Sequence, residues 1–144
     1  MTAVPDQPAA RSGSLLAAAG LALLAFAASA WASGARGNPD QGNPVQGGQV
    51  YAANCGACHS LDANRVGPAH RGVVGRRAGT APGYAYSPAL RGAKFVWTER
   101  NLDRWLTNPS AMVPGTSMGF RLTDPRKRAD VIAYLRAQAP TKRN

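Results

Sequence analysis

The chain has 144 residues, with 17 Lys and Arg against 7 Asp and Glu, and a net charge of +10. This length allows one modest domain, and two cysteines are too few for a multi-disulfide secreted scaffold or a four-cysteine zinc finger. Aromatic residues make up only 7% of the chain. Because few rings are available to fill a core, we expect a bound group to occupy part of the middle of the domain.

The first 32 residues have the features of a targeting segment, in the usual sequence order. Arg11 precedes residues 15–32, which carry no charge and end in two overlapping A-x-A patterns. A basic region, an apolar run and small residues at the exit are typical of a secretory signal peptide. The same run just reaches the length that spans a bilayer. We therefore place a signal peptide or an uncleaved N-terminal membrane anchor at residues 1–32; a buried core helix is the less favoured alternative.

A glycine-rich segment follows the apolar run. Residues 33–48 contain five glycines and two prolines and show no hydrophobic periodicity, a composition typical of a flexible linker. We place the linker at residues 33–45 and a single domain at residues 46–144.

Cap and proline signals within this domain predict short helices separated by loops. The first helix is predicted over residues 49–54 and leads into the cysteines. Further helix starts are indicated at Ser87-Pro88, Thr98 and Asp124-Pro125. No stretch alternates like a strand over six residues, so the fold class is all-α.

The long segment over residues 60–96 is punctuated by glycine and proline and has almost no predicted structure of its own. A loop of this length is uncommon in a small domain unless it encloses something. A large planar apolar cofactor is the obvious candidate.

Residues 55–59 read C-G-A-C-H, and C-x-x-C-H in an exported protein is the attachment signature of c-type haem. Cys55 and Cys58, three positions apart on a helical turn, can reach the two vinyl groups at one edge of the porphyrin. His59 then projects under the ring to bind iron. Three alternatives fit less well: a thioredoxin-like motif lacks its βαβ context, a zinc site needs two more ligands, and a plain disulfide leaves His59 unexplained.

Two methionines of the domain are candidates for a second axial ligand. Met118 ends the sequence V-P-G-T-S-M, a loop between two predicted helices that can hold a thioether against the opposite face of the ring. Met112 follows Asn108-Pro109 and is equally well explained by core packing.

Taken together, these motifs resemble class I c-type cytochromes, in the branch that includes mitochondrial and photosynthetic-bacterial soluble cytochromes c. The resemblance covers residues 46–139 and rests on C-G-A-C-H, V-G-P, G-R-R-A-G-T-A-P-G-Y-A-Y-S, V-P-G-T-S-M and R-A-D-V-I-A-Y-L. It implies an all-α cytochrome c fold of short helices and long loops wrapped round one covalent haem c.

The resemblance also implies roles for individual residues. His59 is implied as the proximal iron ligand and Met118 as the distal one. The carbonyl of Pro68 is implied to accept a hydrogen bond from Nδ1–H of His59. Thr116 is implied to support the methionine loop, residues 113–118. Three residues match positions that hydrogen-bond or neutralise a buried haem propionate: Arg76, Tyr86 and Trp97. Four match the crossing of the first and last helices: Gly47, Tyr51, Val131 and Tyr134.

Two positions depart from the family pattern. Trp105 stands where many relatives carry a tyrosine near the methionine sulfur, and we expect its indole N–H to point elsewhere. His70 stands where the family has a leucine packed near the haem. We expect His70 to face solvent, with a misplaced iron ligand as the less favoured alternative.

The function that follows is one-electron transfer between respiratory or photosynthetic partners, without enzymatic activity. The alternative is a haem enzyme or a gas or redox sensor in which Met118 is displaceable. The charge of +10 favours acidic docking surfaces on a redox partner: a cytochrome bc-type complex, an oxidase, a reaction centre or a dehydrogenase. We expect a periplasmic monomer, soluble if the signal is cleaved and otherwise anchored to the inner membrane, and no nucleic-acid binding, since no stacking platform is visible.

Overall fold

Five helices and long connecting loops form residues 41–139, the part of the chain that the computed structural model describes. The helices are α1 (Pro44–Asn54), α2 (Pro88–Arg91), α3 (Glu99–Thr107), α4 (Pro109–Met112) and α5 (Pro125–Ala137). Over these residues the extended pairing is limited to an isolated bridge between Arg77 and Val96, so the all-α class is confirmed. None of the helices in this range is long and apolar enough to cross a membrane. The predicted signal or anchor at residues 1–32 lies outside the described residues.

The helix starts are set by local capping. In each described helix a side-chain oxygen of the preceding residue accepts one or more N–H groups of the first turn, and only α3 lacks a proline at its start. The predicted starts of α2, α3 and α5 are confirmed, because these signals depend only on neighbouring residues. The short helix α4 was not predicted; Asn108 ends α3 and caps α4 at the same time.

Helix α1 begins at Pro44, so the predicted start at residue 49 is wrong and the last two residues of the predicted linker are helical. Gly47 and Gly48 disfavour a helix by propensity. Gly47 is nevertheless required there, because a Cβ at this position would overlap the backbone carbonyl of Asp130 in α5. Close packing of α1 on α5 therefore overrides the local preference.

The α1–α5 crossing forms one side of the core. The carboxylate of Asp130 accepts the backbone N–H of Asn43 at 2.7 Å, which ties the start of α1 to α5. Tyr51 packs against Tyr134 with ring centroids 5.3 Å apart, and Val131 is fully buried. This crossing fixes the end of α1, where the cysteines begin.

Candidate functional site

A mostly apolar cavity of about 300 Å³ lies between the end of α1, the loop that follows it, α3 and the methionine loop. Apolar side chains from α3 and α5 form its inner wall, and Val66 and Phe120, both exposed, stand at its opening. Every residue predicted for the site lines this one cavity: Cys55, Cys58, His59, Pro68, Arg76, Tyr86, Trp97, Thr116 and Met118.

The cysteines follow directly from the end of α1. The N–H groups of Cys55 and Gly56 both donate to the carbonyl of Tyr51, at 2.8 and 2.9 Å. The N–H groups of Cys58 and His59 then donate to the carbonyl of Cys55, which adds one further turn. Both cysteines are free, so the disulfide alternative is not what the structure shows. Burial raises the pKa of the Cys55 thiol to about 11, which keeps it protonated at neutral pH.

His59 is held by the loop that crosses behind it. Its Nδ1 lies 2.9 Å from the carbonyl oxygen of Pro68, and because a carbonyl can only accept, Nδ1 carries the proton. Burial lowers the pKa of the imidazole, and the bond to Pro68 opposes this effect only in part. The neutral ring is left with a lone pair on Nε2. Gly67 makes this contact feasible, because a Cβ there would overlap the His59 ring.

Trp105 contacts the sulfur of Met118, and the expectation that its indole N–H points elsewhere is wrong. Nε1 donates to Sδ at 3.2 Å. The ring is buried in α3 and packs edge-on against Trp97, with centroids 5.2 Å apart and planes at 68°. This packing turns the N–H towards the methionine loop.

The methionine loop is supported from within. The N–H of Met118 donates to the hydroxyl of Thr116 at 3.4 Å, and the N–H of Thr116 donates to the carbonyl of Val113 at 3.2 Å. Met112 ends α4 and lines a separate surface depression. Among the residues that the structure describes, Met118 alone presents a thioether to the cavity.

The remaining polar groups of the cavity fit a carboxylate. Arg76 donates to the carbonyls of Ala69 and Arg71, at 2.8 and 3.3 Å, but its buried Nε has no partner among residues 41–139. Burial lowers the pKa of this guanidinium, so an anion beside it would be stabilising. The hydroxyl oxygen of Tyr86 accepts the N–H of Ala81 at 3.2 Å, which leaves its own proton to donate.

His70 stacks on His59, so the prediction that it faces solvent is wrong. The two ring centroids are 4.0 Å apart and the planes are 19° from parallel. Burial lowers the pKa of His70 to about 3, so its ring is neutral at physiological pH. A neutral imidazole is flat and can pack like an apolar ring. The prediction failed because it treated histidine as a polar, solvent-facing residue.

Comparisons with known proteins identify the family of the chain. The family model described as Cytochrome c matches residues 44–139. A cytochrome c from Euglena viridis is 44% identical over 91 residues, which cover 61% of this chain and 89% of that protein. A cytochrome c2 from Rhodomicrobium vannielii is 46% identical over 88 residues, covering 58% of this chain and 70% of that one.

Solved structures give the same result. Cytochrome cH from Methylobacterium extorquens superposes with a TM-score of 0.64 at 43% identity, covering 67% of this chain and 99% of that one. Cytochrome c2 from Rhodospirillum centenum also has a TM-score of 0.64, at 36% identity, covering 69% and 100%.

These relatives confirm the predicted fold, cofactor and electron-transfer function, and they do not favour a haem enzyme or sensor. The cavity fits a covalent haem and its propionates. It offers two free cysteines, the hydrogen-bonded imidazole of His59 and the Arg76 guanidinium, whose Nε has no partner within residues 41–139. The chain belongs to the cytochrome c family and is an electron carrier with one covalently attached haem c.

Proposed function

We propose that the chain is an exported single-electron carrier in which Cys55 and Cys58 attach the haem and His59 and Met118 bind its iron. One observation carries this proposal: the same cavity is lined by two free cysteines, a thioether and an imidazole. The Nδ1 of this imidazole is hydrogen-bonded to a backbone carbonyl, so Nε2 is the nitrogen left for iron. The haem iron, when bound, accepts and releases one electron, and ligation by His and Met favours the reduced form.

The protein's own groups prepare both ligands. The carbonyl of Pro68 fixes the tautomer and orientation of His59 and strengthens Nε2 as a donor. The indole of Trp105 holds one lone pair of the Met118 sulfur through its N–H, which leaves the other lone pair for iron. Both ligands are therefore oriented by hydrogen bonds that are present before an electron arrives, and this is expected to keep reorganisation small.

Arg76 and Tyr86 balance negative charge inside the cavity. A carboxylate taken out of water needs cations or hydrogen-bond donors. The Nε of Arg76, which has no partner within residues 41–139, and the hydroxyl proton of Tyr86 supply both in the same cavity. We assign these two residues, with Trp97 beside them, to the haem propionates.

The docking face is proposed to surround the cavity opening at Val66 and Phe120, where a haem held in the cavity would be nearest to a partner. Residues 41–139 carry 13 Lys and Arg and 5 Asp and Glu. The five acids are all engaged within the protein, three in ion pairs with arginine and two as acceptors of backbone N–H groups: Asp62, Glu99 and Asp103, then Asp124 and Asp130. The surface left for a partner is therefore strongly positive.

An acidic redox partner fits this charge, and encounter with it will slow as salt is added. Arg65 and Arg121 are exposed and adjoin Val66 and Phe120 in sequence, and Arg65 donates to the carbonyl of Gly56, between the two cysteines, at 2.7 Å. The candidate partners are the four classes named above: a cytochrome bc-type complex, an oxidase, a reaction centre or a dehydrogenase.

We further propose a periplasmic location. The support is the charge-free run at residues 15–32 with its A-x-A patterns, in a chain that carries a covalent haem. Intact mass and N-terminal sequencing of the native protein distinguish a cleaved signal from a retained anchor.

Carbon monoxide binding to the reduced holoprotein tests the proposed ligation against a displaceable methionine. With His59 and Met118 both bound, the wild type is expected to show one reversible one-electron wave and no spectral change on carbon monoxide addition. The matched variant Met118→Ala, with one axial position open, is expected to bind the gas. Ready binding by the wild type would instead support the sensor or enzyme alternative.

A further inference from the structure

His70 is held firmly beside the proximal side of the cavity. Its backbone N–H donates to the carbonyl of Ser60 at 3.0 Å, and the N–H of Arg71 donates to the carbonyl of Leu61 at 2.8 Å. These bonds pair the segment around His70 with the residues that follow His59. The imidazole of His70 thereby lies flat against that of His59, with centroids 4.0 Å apart.

A histidine at this position carries a cost that a leucine would not. Nδ1 of His70 is buried and finds no hydrogen-bond partner within residues 41–139. The other ring in contact, Tyr51, does not help, because it meets His70 edge-on at 5.7 Å and its own buried hydroxyl is likewise unpartnered in this range. A buried unsatisfied polar group calls for an explanation. Since His70 makes no side-chain hydrogen bond through Nδ1, its ring face against His59 is the contact that distinguishes it from an aliphatic residue.

The two contacts on His59 constrain different motions. The bond from Nδ1 to Pro68 fixes one edge of the ring, and the stack with His70 fixes its plane. The face of an aromatic ring also attracts positive charge. A histidine bound to iron shares more positive charge when the iron is oxidised than when it is reduced.

We propose that His70 is a positioning residue for His59, and that its ring face stabilises the oxidised protein and so lowers the reduction potential. The inference rests on the proposed ligand role of His59. It assigns His70 no bond to iron and no change of protonation.

The test compares His70→Leu and His70→Phe holoproteins with the wild type. Leucine is the residue that the family resemblance implies at this position, so His70→Leu is expected to fold, and it removes the ring face. Its reduction potential is expected to rise by about 18 to 59 mV, which is a two- to tenfold change in the one-electron equilibrium constant. The principal g values of its oxidised form, which report the plane of the axial imidazole, are expected to shift. His70→Phe restores a ring face and is expected to stay close to the wild type in both readouts.

Ile132→Val serves as the matched control, since Ile132 is buried in α5 and does not line the cavity. It is expected to lower the free energy of unfolding without changing the potential or the g values. Unchanged potential and g values in His70→Leu would overturn the proposal, as would a His70→Phe protein that behaves like His70→Leu. If His70→Phe does not fold, the leucine comparison alone decides. Failure of the ligand assignment itself is seen separately, as a wild-type spectrum without the His/Met signature.

Discussion

The indole nitrogen of Trp105 lies 3.2 Å from the sulfur of Met118. Its N–H, which can only donate, is hydrogen-bonded to that sulfur. An indole cannot accept a hydrogen bond and does not titrate in the accessible pH range. A thioether that accepts a hydrogen bond has less electron density to give to a metal. With Met118 as the proposed iron ligand, Trp105 is therefore expected to favour reduced iron.

Trp105→Phe is expected to lower the reduction potential, because the sulfur becomes a better donor and stabilises oxidised iron. A hydrogen bond of this kind contributes roughly 0.5–1.5 kcal/mol in total, so its effect on the potential is at most about 20–65 mV for one electron. Spectroelectrochemical titration measures the change. Trp105→Tyr, which restores an O–H donor, is the control and is expected to recover part of the loss. An unchanged or higher potential in Trp105→Phe contradicts the role of this bond.

The glycine at the α1–α5 crossing gives a prediction on stability. Gly47→Ala places a methyl group on the carbonyl of Asp130, so the helices must separate and the free energy of unfolding is expected to fall by roughly 1–3 kcal/mol or more. The neighbouring Gly48 meets only the ring of Tyr134, at 3.4 Å. Gly48→Ala is expected to be neutral or stabilising by up to about 1 kcal/mol from helix propensity. Denaturant unfolding of both variants checks this, and equal effects would contradict the proposed crossing.

Gly67 gives a prediction on the proximal ligand. In Gly67→Ala the new methyl group overlaps the His59 ring, so the ring is expected to leave the Pro68 carbonyl and the yield of correctly ligated holoprotein to drop. Gly92→Ala is the control, since Gly92 does not line the cavity, its φ is −80° and its Cβ meets only the carbonyl oxygens of Pro88 and Ala89, at 3.4 and 3.8 Å. Absorption spectra of the oxidised proteins measure the ligated fraction. A normal spectrum for Gly67→Ala would show that the loop yields without disturbing His59.

Tyr51 predicts how stability changes at alkaline pH. Burial raises the pKa of its hydroxyl from 10.0 to about 12. Below pH 10 the hydroxyl is protonated in both the folded and unfolded chains, so the full stability is present. Between pH 10 and 12 the unfolded chain releases the proton first, and the free energy of unfolding falls as pH rises.

Tyr51→Phe removes this dependence and also removes a buried hydroxyl that has no partner within residues 41–139. The variant is expected to match or exceed the wild type at pH 7 and to lose less stability above pH 10. Unfolding curves of both proteins at pH 7 and at a pH between 10 and 12 provide the measurement. Curves for the two proteins that stay parallel across this range would contradict the raised pKa.

Features that depend on neighbouring residues could be predicted from the sequence. The caps at Ser87, Thr98 and Asp124 mark helix starts correctly, and the C-G-A-C-H motif identifies the cofactor. The two cysteines and the histidine that attach and bind a haem lie within five consecutive residues. The motif can therefore be recognised without knowing the rest of the fold. The family resemblance then placed the other site residues on what the structure shows to be one cavity.

The features that were missed depend on contacts between separate segments. The direction of the Trp105 N–H follows from its packing on Trp97, and the burial of His70 follows from backbone bonds to the segment after His59. The early start of α1 depends on contact with a helix about 80 residues later in the chain. Residue type and spacing do not encode such contacts, so the polarity of His70 and the glycines of α1 were misleading.

The sulfur–iron absorption of the oxidised holoprotein tests the central claim most directly, when it is measured for the wild type, Met112→Ala and Met118→Ala side by side. The account predicts that the band is present in the wild type and in Met112→Ala and is lost in Met118→Ala. A wild type without the band, or a band that disappears in Met112→Ala and survives in Met118→Ala, would contradict the ligation of iron by His59 and Met118.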